Sequence, residues 1–118
     1  MSNTYRFGAS YMQGIKNINA TELHDWLESN EAAVIDVRED FEFEHEHIPN
    51  SKHHPLSQIC LDDINTTENQ NRKIVLICRS GARSMVACMK FLGTDPSLDM
   101  YNLEGGIISW KKCGYEVQ

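Results

Sequence analysis

The apolar residues of this chain fall in short clusters, and the spacing within each cluster predicts its element. Lys73-Ile74-Val75-Leu76-Ile77-Cys78 is an apolar, β-branched run with no polar alternation. That pattern predicts a strand buried on both faces, central in a sheet and parallel to its neighbours. Ala32-Ala33-Val34-Ile35-Asp36-Val37 repeats it, too briefly for a helix. Met100-Tyr101-Asn102-Leu103 fits a last short strand, Lys52-His53-His54-Pro55-Leu56 a weak one, and Ile15 with Ile18 a short strand or extended lead-in. Helical spacing takes over elsewhere. Asn19 is a good N-cap, Glu22 completes a capping box, and Leu23, Trp26 and Leu27 form a stripe, predicting a helix over residues 20–29. Met85, Val86, Cys88, Met89 and Leu92 predict a second helix that ends at Gly93. After the Gly105-Gly106 turn, residues 107–112 predict a final helix closed by Gly114.

The remaining segments are polar. Residues 39–47 are densely charged but carry Phe41 and Phe43, which predicts a short surface helix before Ile48-Pro49-Asn50-Ser51 breaks the chain. Residues 57–61 read as a helical turn, residues 62–72 as a polar loop, and Asp95-Pro96-Ser97 as a break. Residues 1–14 read as a partly ordered arm whose Tyr5, Phe7, Tyr11 and Met12 are available to a partner or to the domain. Strands alternating with helices at this spacing predict an α/β fold with a mainly parallel sheet, in one domain over residues 15–118. In such sheets the strand-to-helix loops gather at the carboxyl edge, where ligands bind.

A chain of 118 residues suits one core, and 41% apolar residues suffice to fill it. The formal net charge of −6 argues against nucleic acid or an anionic membrane as partner. No stretch approaches the roughly 20 apolar residues of a membrane span, and no leader-like segment opens the sequence. The expectation is a soluble cytoplasmic protein. The four cysteines, Cys60, Cys78, Cys88 and Cys113, are irregularly spaced and lack a CxxC pair, which favours free thiols over a disulfide framework or a zinc site.

Cys78 stands apart from the other three. It ends a strand and is followed by Arg79-Ser80-Gly81-Ala82-Arg83-Ser84, a glycine-containing turn leading into a helix. The first amides of a helix lack partners and favour an anion, and with nearby arginines they lower a cysteine's pKa. Gly81 permits a positive φ, so that successive N–H groups converge as a nest. Ser80 and Ser84 add hydroxyl donors, and Ser84 is also available as a helix cap. A strand-terminal cysteine taken alone is more often core packing. With two arginines, two serines and a glycine within six residues it is a candidate nucleophile.

At this point the chain resembles the rhodanese-like, or thiosulfate sulfurtransferase, family as a single-domain member. Three blocks carry the resemblance: Ile35-Asp36-Val37-Arg38-Glu39 with Glu42-Phe43 and His47-Ile48-Pro49-Asn50-Ser51; the loop from Cys78 to Ser84; and Leu103-Glu104-Gly105-Gly106-Ile107-Ile108-Ser109-Trp110. Glu46 and Asn50 depart from the pattern, standing where the family often has Gly. The resemblance implies a five-stranded sheet flanked by helices and a persulfide on Cys78, with no cofactor and no metal. It implies sulfur moving from an anionic donor such as thiosulfate to a thiol or cyanide. Arg79 and Arg83 would attract the donor, and Ser80, Gly81, Ala82 and Ser84 would complete its cradle.

Several alternatives stand beside this. Cysteine phosphatases space their loop as C-x5-R, whereas Cys78 and Arg83 form C-x4-R, a loop one residue tighter. A non-catalytic sensing module, and a carrier passing sulfur to a protein partner in a relay, are the other readings. Asp36 and Arg38 are expected to form a structural ion pair. His45, His47, His53 and His54 are expected to be solvated imidazoles rather than metal ligands. Cys88 is expected in the core, while Cys60 and Cys113 lie in surface-like segments, with a resolving role the lesser reading for all three. Trp110 with Ile107 is expected to pack on the sheet.

Overall fold

The computed structural model describes residues 15–118. The arm expected over residues 1–14 lies outside the described residues. Five strands, β1 (Lys16–Ile18), β2 (Ala32–Asp36), β3 (Lys52–His53), β4 (Lys73–Ile77) and β5 (Met100–Leu103), form one sheet in the order β1-β5-β4-β2-β3. Every pairing is parallel. The helices are α1 (Ala20–Glu28), α2 (Asp40–His45), α3 (Leu61–Ile64), α4 (Ala82–Thr94) and α5 (Gly106–Lys112).

The unalternated apolar run in β4 serves two cores at once. Ile74, Leu76 and Cys78 pack with Ile35, Val37, Cys88 and Phe91 on the α4 face. Val75 and Ile77 pack with Leu23, Val34, Ile107 and Trp110 on the α1 and α5 face. Successive side chains of a strand point to opposite faces, so a sheet covered on both sides needs apolar residues at every position. Trp110 is buried against the sheet, as its spacing predicts. The capping box on α1 also forms: Asn19 Oδ1 accepts from the Glu22 amide at 2.8 Å, and Glu22 accepts from the Asn19 amide at 3.1 Å.

Four local expectations are corrected. The helical turn expected at residues 57–61 lies about two residues earlier, where the Gln58 and Ile59 amides both donate to Pro55 O at 2.9 Å, and α3 follows from Leu61. The loop expected over residues 62–72 contains most of that helix and a 3-10 turn at Thr67–Asn69. The cause is Ile64, fully buried, with the Cys60 amide donating to Asp63 Oδ2 at 2.9 Å to start the turn. β3 is two residues long instead of five. Pro55 has no N–H to donate, although the His54 and Leu56 amides still reach Asp36 O and Val37 O, each at 3.0 Å. α4 begins at Ala82 and continues one residue past Gly93. Asn50 has φ +67, a left-handed conformation, which explains why glycine suits that position and why asparagine serves there.

The registers bring three strand ends together. Asp36 lies opposite Ile77, and Leu76 lies opposite Asn102, so β2, β4 and β5 finish side by side at the carboxyl edge. The α2 helix is tied to the end of β2 through Arg38 and to α4 through Arg83, whose Nη1 and Nη2 donate to the two Glu42 oxygens at 2.7 and 2.9 Å. Hydrogen bonds from Arg83, opposed by partial burial, hold the Glu42 carboxyl at about 2, below its ordinary 4.5.

Two outcomes follow for stability. Leu76→Ala empties a fully buried position in the central strand and should cost about 2–5 kcal/mol in urea unfolding; a loss below about 1 kcal/mol would contradict the packing described. The depressed Glu42 pKa contributes stability that is fully present above about 4.5 and is lost as pH falls through about 2. The wild type should therefore lose stability more steeply than Glu42→Gln across that interval, and parallel acid profiles would show that the pair contributes nothing.

Candidate active site

Cys78 follows the last residue of β4, and the chain turns through Arg79, Ser80 and Gly81 into α4. Gly81 is the N-cap of α4 at φ +105, the conformation expected of it. Its amide points back at the sulfur, with N–H donating to Cys78 Sγ at 3.1 Å. A Cβ there would meet only ordinary contacts, 3.4 Å from Leu103 O and 3.6 Å from Asn102 Nδ2, so the positive φ rather than the space favours glycine. Cys78 is only 1% exposed, and burial pushes its thiol up. Hydrogen bonds from the Ser84 hydroxyl and from the amides of Ser84, Gly81 and Ser80 outweigh that, leaving the pKa below the ordinary cysteine value. Loop amides and one hydroxyl carry the shift that the sequence also credits to the arginines.

The loop's carbonyls are held from the other side. Ile107 N–H donates to Cys78 O at 2.9 Å and Ile108 N–H to Arg79 O at 3.2 Å, so the unpaired amides opening α5 are spent on the loop. This contact demands Gly106: a Cβ there would stand 2.3 Å from Arg79 O and 2.5 Å from Cys78 O. Its φ of +59 adds a second requirement for glycine.

Ser84 is not the cap of α4, which is Gly81. It sits one turn inside, fully buried, 3.4 Å from Cys78 Sγ and 2.5 Å from Asn102 Oδ1. Asn102, which the sequence reading did not single out, in turn donates through Nδ2 to Asn17 Oδ1 at 3.1 Å. Its one signal in the sequence is a polar side chain between Tyr101 and Leu103 in an otherwise apolar strand, and it is 3% exposed.

The two arginines differ. The Arg83 guanidinium is engaged by Glu42, a partner the sequence did not indicate. Arg79 is exposed and makes no ion pair among the described residues. Ser80 and Ala82 are also exposed, forming the rim of the loop. Beside Arg79 runs a groove of about 490 Å³ lined by Phe41, Ile107, Ile108, Lys111 and Lys112, in which Phe41 is 73% exposed. A larger groove of about 780 Å³ includes Leu27, Ala32, Asn50 and Arg72 and contains no residue of the Cys78 loop.

Asp36 and Arg38 form the expected pair, completely buried. Arg38 Nη2 donates to Asp36 Oδ2 at 2.7 Å and to Glu46 O at 2.7 Å, while Arg38 Nε donates to Asp36 Oδ1 at 2.9 Å. The pair closes on itself and braces the β2 end against the α2 terminus. Two histidines are not solvated as expected. His47 and His53 stack on Phe43, with ring centroids 4.0 and 4.6 Å away, and one His53 ring nitrogen, Nε2, lies 2.8 Å from Arg38 O. His45 is exposed. All four cysteines are free: Cys88 is buried, which pushes its thiol up to about 12, while Cys60 and Cys113 are exposed. Among the described residues no helix is long and apolar enough to cross a membrane.

Residues 19–113 match the rhodanese-like domain family. The putative sulfurtransferase YtwF of Bacillus subtilis is 36% identical over 98 residues, covering 82% of this chain and 91% of that protein. The probable adenylyltransferase/sulfurtransferase MoeZ of Mycobacterium tuberculosis is 37% identical over 98 residues, but these cover 80% of this chain and only 24% of MoeZ. A rhodanese-related protein from Thermoplasma volcanium superposes with a TM-score of 0.67 at 33% identity, covering 87% of this chain and 97% of that one. A parallel five-stranded sheet, a thiol held at the amide-lined end of its central strand, and a match spanning nearly all described residues agree: the chain belongs to the rhodanese-like domain family.

Proposed function

We propose that this chain is a sulfurtransferase that carries sulfane sulfur as a persulfide on Cys78. The observation that carries the reading is the Gly81 N–H aimed at Cys78 Sγ from 3.1 Å, in a loop whose amides lower the thiol's pKa against its own burial. An amide nest of this kind favours sulfur as an anion, both as thiolate and as the terminal atom of a persulfide. The names of YtwF and MoeZ support sulfur transfer as the reaction class.

In the first step the Cys78 thiolate attacks the outer sulfur of thiosulfate. A Cys78–sulfur bond forms, the donor's sulfur–sulfur bond breaks, and sulfite leaves with the electron pair. In the second step an acceptor thiolate or cyanide attacks the terminal sulfur of the persulfide and Cys78 returns as thiolate. Arg79, exposed and without an ion pair among the described residues, meets the donor's anionic end, while Arg83, held by Glu42, keeps a positive charge beside the loop. Ser80, Gly81, Ala82 and Ser84 line the cradle. The short C-x4-R loop and the shielding of Cys78 favour a single sulfur atom over a tetrahedral phosphate.

A second reading has this chain as a carrier that takes sulfur from a persulfidated protein donor and passes it to a protein acceptor. It is supported by MoeZ, in which the matching segment is part of a longer adenylyltransferase/sulfurtransferase, and by the groove beside Arg79, which joins the apolar Phe41, Ile107 and Ile108 to the charged Glu42, Glu46, Lys111 and Lys112. In that case thiosulfate turnover is slow while sulfur transfer from a persulfidated protein donor is fast.

Treating the protein with thiosulfate should add one sulfur, about 32 Da by intact mass spectrometry, in the wild type and not in Cys78→Ser. An adduct surviving the substitution, or rapid hydrolysis of an aryl phosphate, would overturn the assignment. Arg79→Ala should raise the KM for thiosulfate by about tenfold, the scale of one charge-assisted contact, and more than Arg83→Ala does. The reverse order in steady-state kinetics would mean that Arg83 leaves Glu42 to bind the donor.

A further inference from the structure

The Ser84 hydroxyl has one proton and two acceptors within reach, Asn102 Oδ1 at 2.5 Å and Cys78 Sγ at 3.4 Å. It can donate to only one of them at a time. In the arrangement described, the shorter bond goes to Asn102, and Asn102 Nδ2 donates onward to Asn17 Oδ1 at 3.1 Å. This direction of donation suits a protonated Cys78, whose S–H is then free to donate to the Ser84 oxygen across the same 3.4 Å; the Ser84-to-sulfur bond that lowers the thiol's pKa belongs to the ionised state. It does not suit a thiolate, which needs the proton that Ser84 is giving to Asn102.

We propose that Asn102 is a positioning residue whose amide turns over when Cys78 ionises, releasing the single Ser84 proton to the sulfur. The two ends of an asparagine amide are nearly the same size, so the turn needs no repacking. After it, Asn102 Nδ2 donates to Ser84 Oγ, Ser84 donates to the sulfur anion, and Asn102 Oδ1 accepts from Asn17. Asn17 is exposed, so its own amide is free to turn in step. Every bond of the chain Asn17–Asn102–Ser84–Cys78 is kept and each reverses direction. No buried polar atom is left without a partner in either state, which matters because an orphaned one is costly in a dry core.

The parallel register explains how the chain of contacts arises. Asn17 of β1 lies directly opposite Asn102 of β5, and Asn102 lies opposite Leu76, two residues before Cys78. Solvent at the edge of the sheet is thereby linked to the buried sulfur through two amides and a hydroxyl. Among the described residues, the charged and titratable groups around the loop are Arg79 and Arg83 of the loop itself, Glu39, Glu42, His45 and Glu46 on and beside α2, Lys111 and Lys112 of α5, and the Asp36–Arg38 pair at the end of β2. The neighbouring residues of β5 and α5 that touch the loop, Asn102, Gly106, Ile107 and Ile108, do not titrate.

The inference rests on Cys78 being the nucleophile, and its test reads ionisation rather than sulfur transfer, so the two can fail separately. Asn102→Asp keeps the size of the side chain and, when ionised, makes it an acceptor only, which retains the Ser84 proton. The pH midpoint of Cys78 alkylation by iodoacetamide should rise by about one unit or more, the scale of losing one hydrogen bond to a charged group. In a Ser84→Ala background the same substitution should move it by less than half as much. An unchanged midpoint, or an equal shift in both backgrounds, overturns the proposal, the latter because it marks a direct charge effect. A measurement on the wild type covers the case in which Asn102→Asp does not fold. The side-chain amide resonances of both Asn102 and Asn17 should titrate with the Cys78 midpoint and stop doing so in Cys78→Ser; movement of Asn102 alone, or of neither, overturns it.

Discussion

The Cys78 loop depends on a backbone contact that only glycine allows. With Gly106 in place, α5 approaches closely enough for Ile107 and Ile108 to donate to the carbonyls of Cys78 and Arg79. Those carbonyls are thereby committed, and the loop's own amides are left to the sulfur. A helix N-terminus ordinarily offers its free N–H groups to an anion. Here α5 offers two of them to the loop's carbonyls, while α4, through its Gly81 cap, faces the sulfur itself. One helix shapes the cradle and the other lines it.

Burial and ionisation oppose each other at this site. A thiol shut away from water in a core is held protonated, as Cys88 is, pushed up to about 12 by burial with nothing to offset it. Cys78 is equally shut off from solvent though less deep in the core, and its pKa moves the other way because the Ser84 hydroxyl and three amides converge on its sulfur. Two cysteines ten positions apart in one chain thus become an inert core residue and a candidate nucleophile. The difference lies in local hydrogen-bond donors rather than in exposure.

Around this cradle most of the arginine charge is paired off among the described residues. Asp36 and Arg38 satisfy each other, and Arg83 is filled by Glu42. In a chain carrying a net charge of −6, Arg79 at the rim is the arginine of the loop left open to an incoming anion. The histidine stacks on Phe43 and the Arg38 bond to Glu46 O brace α2 beside the loop, keeping Glu42 where Arg83 needs it.

Much of this was legible in the sequence by itself. Runs of apolar residues without alternation determined β2 and β4 as strands buried on both sides, Asn19 and Glu22 determined where α1 begins, and the composition of the Cys78 loop marked it as a site. These features are local: each is encoded in residues a few positions apart. What only the tertiary structure decided is non-local. The pairing of Arg83 with Glu42 spans 41 positions, and that of Asn102 with Asn17 spans 85. The helix at residues 61–64 exists because Ile64 finds the core, which no short-range pattern announces. Sequence spacing identifies which groups can hold an anion, but strand register and helix approach decide which are already occupied. That is why the chain showed its candidate nucleophile at once and concealed the asparagine behind it.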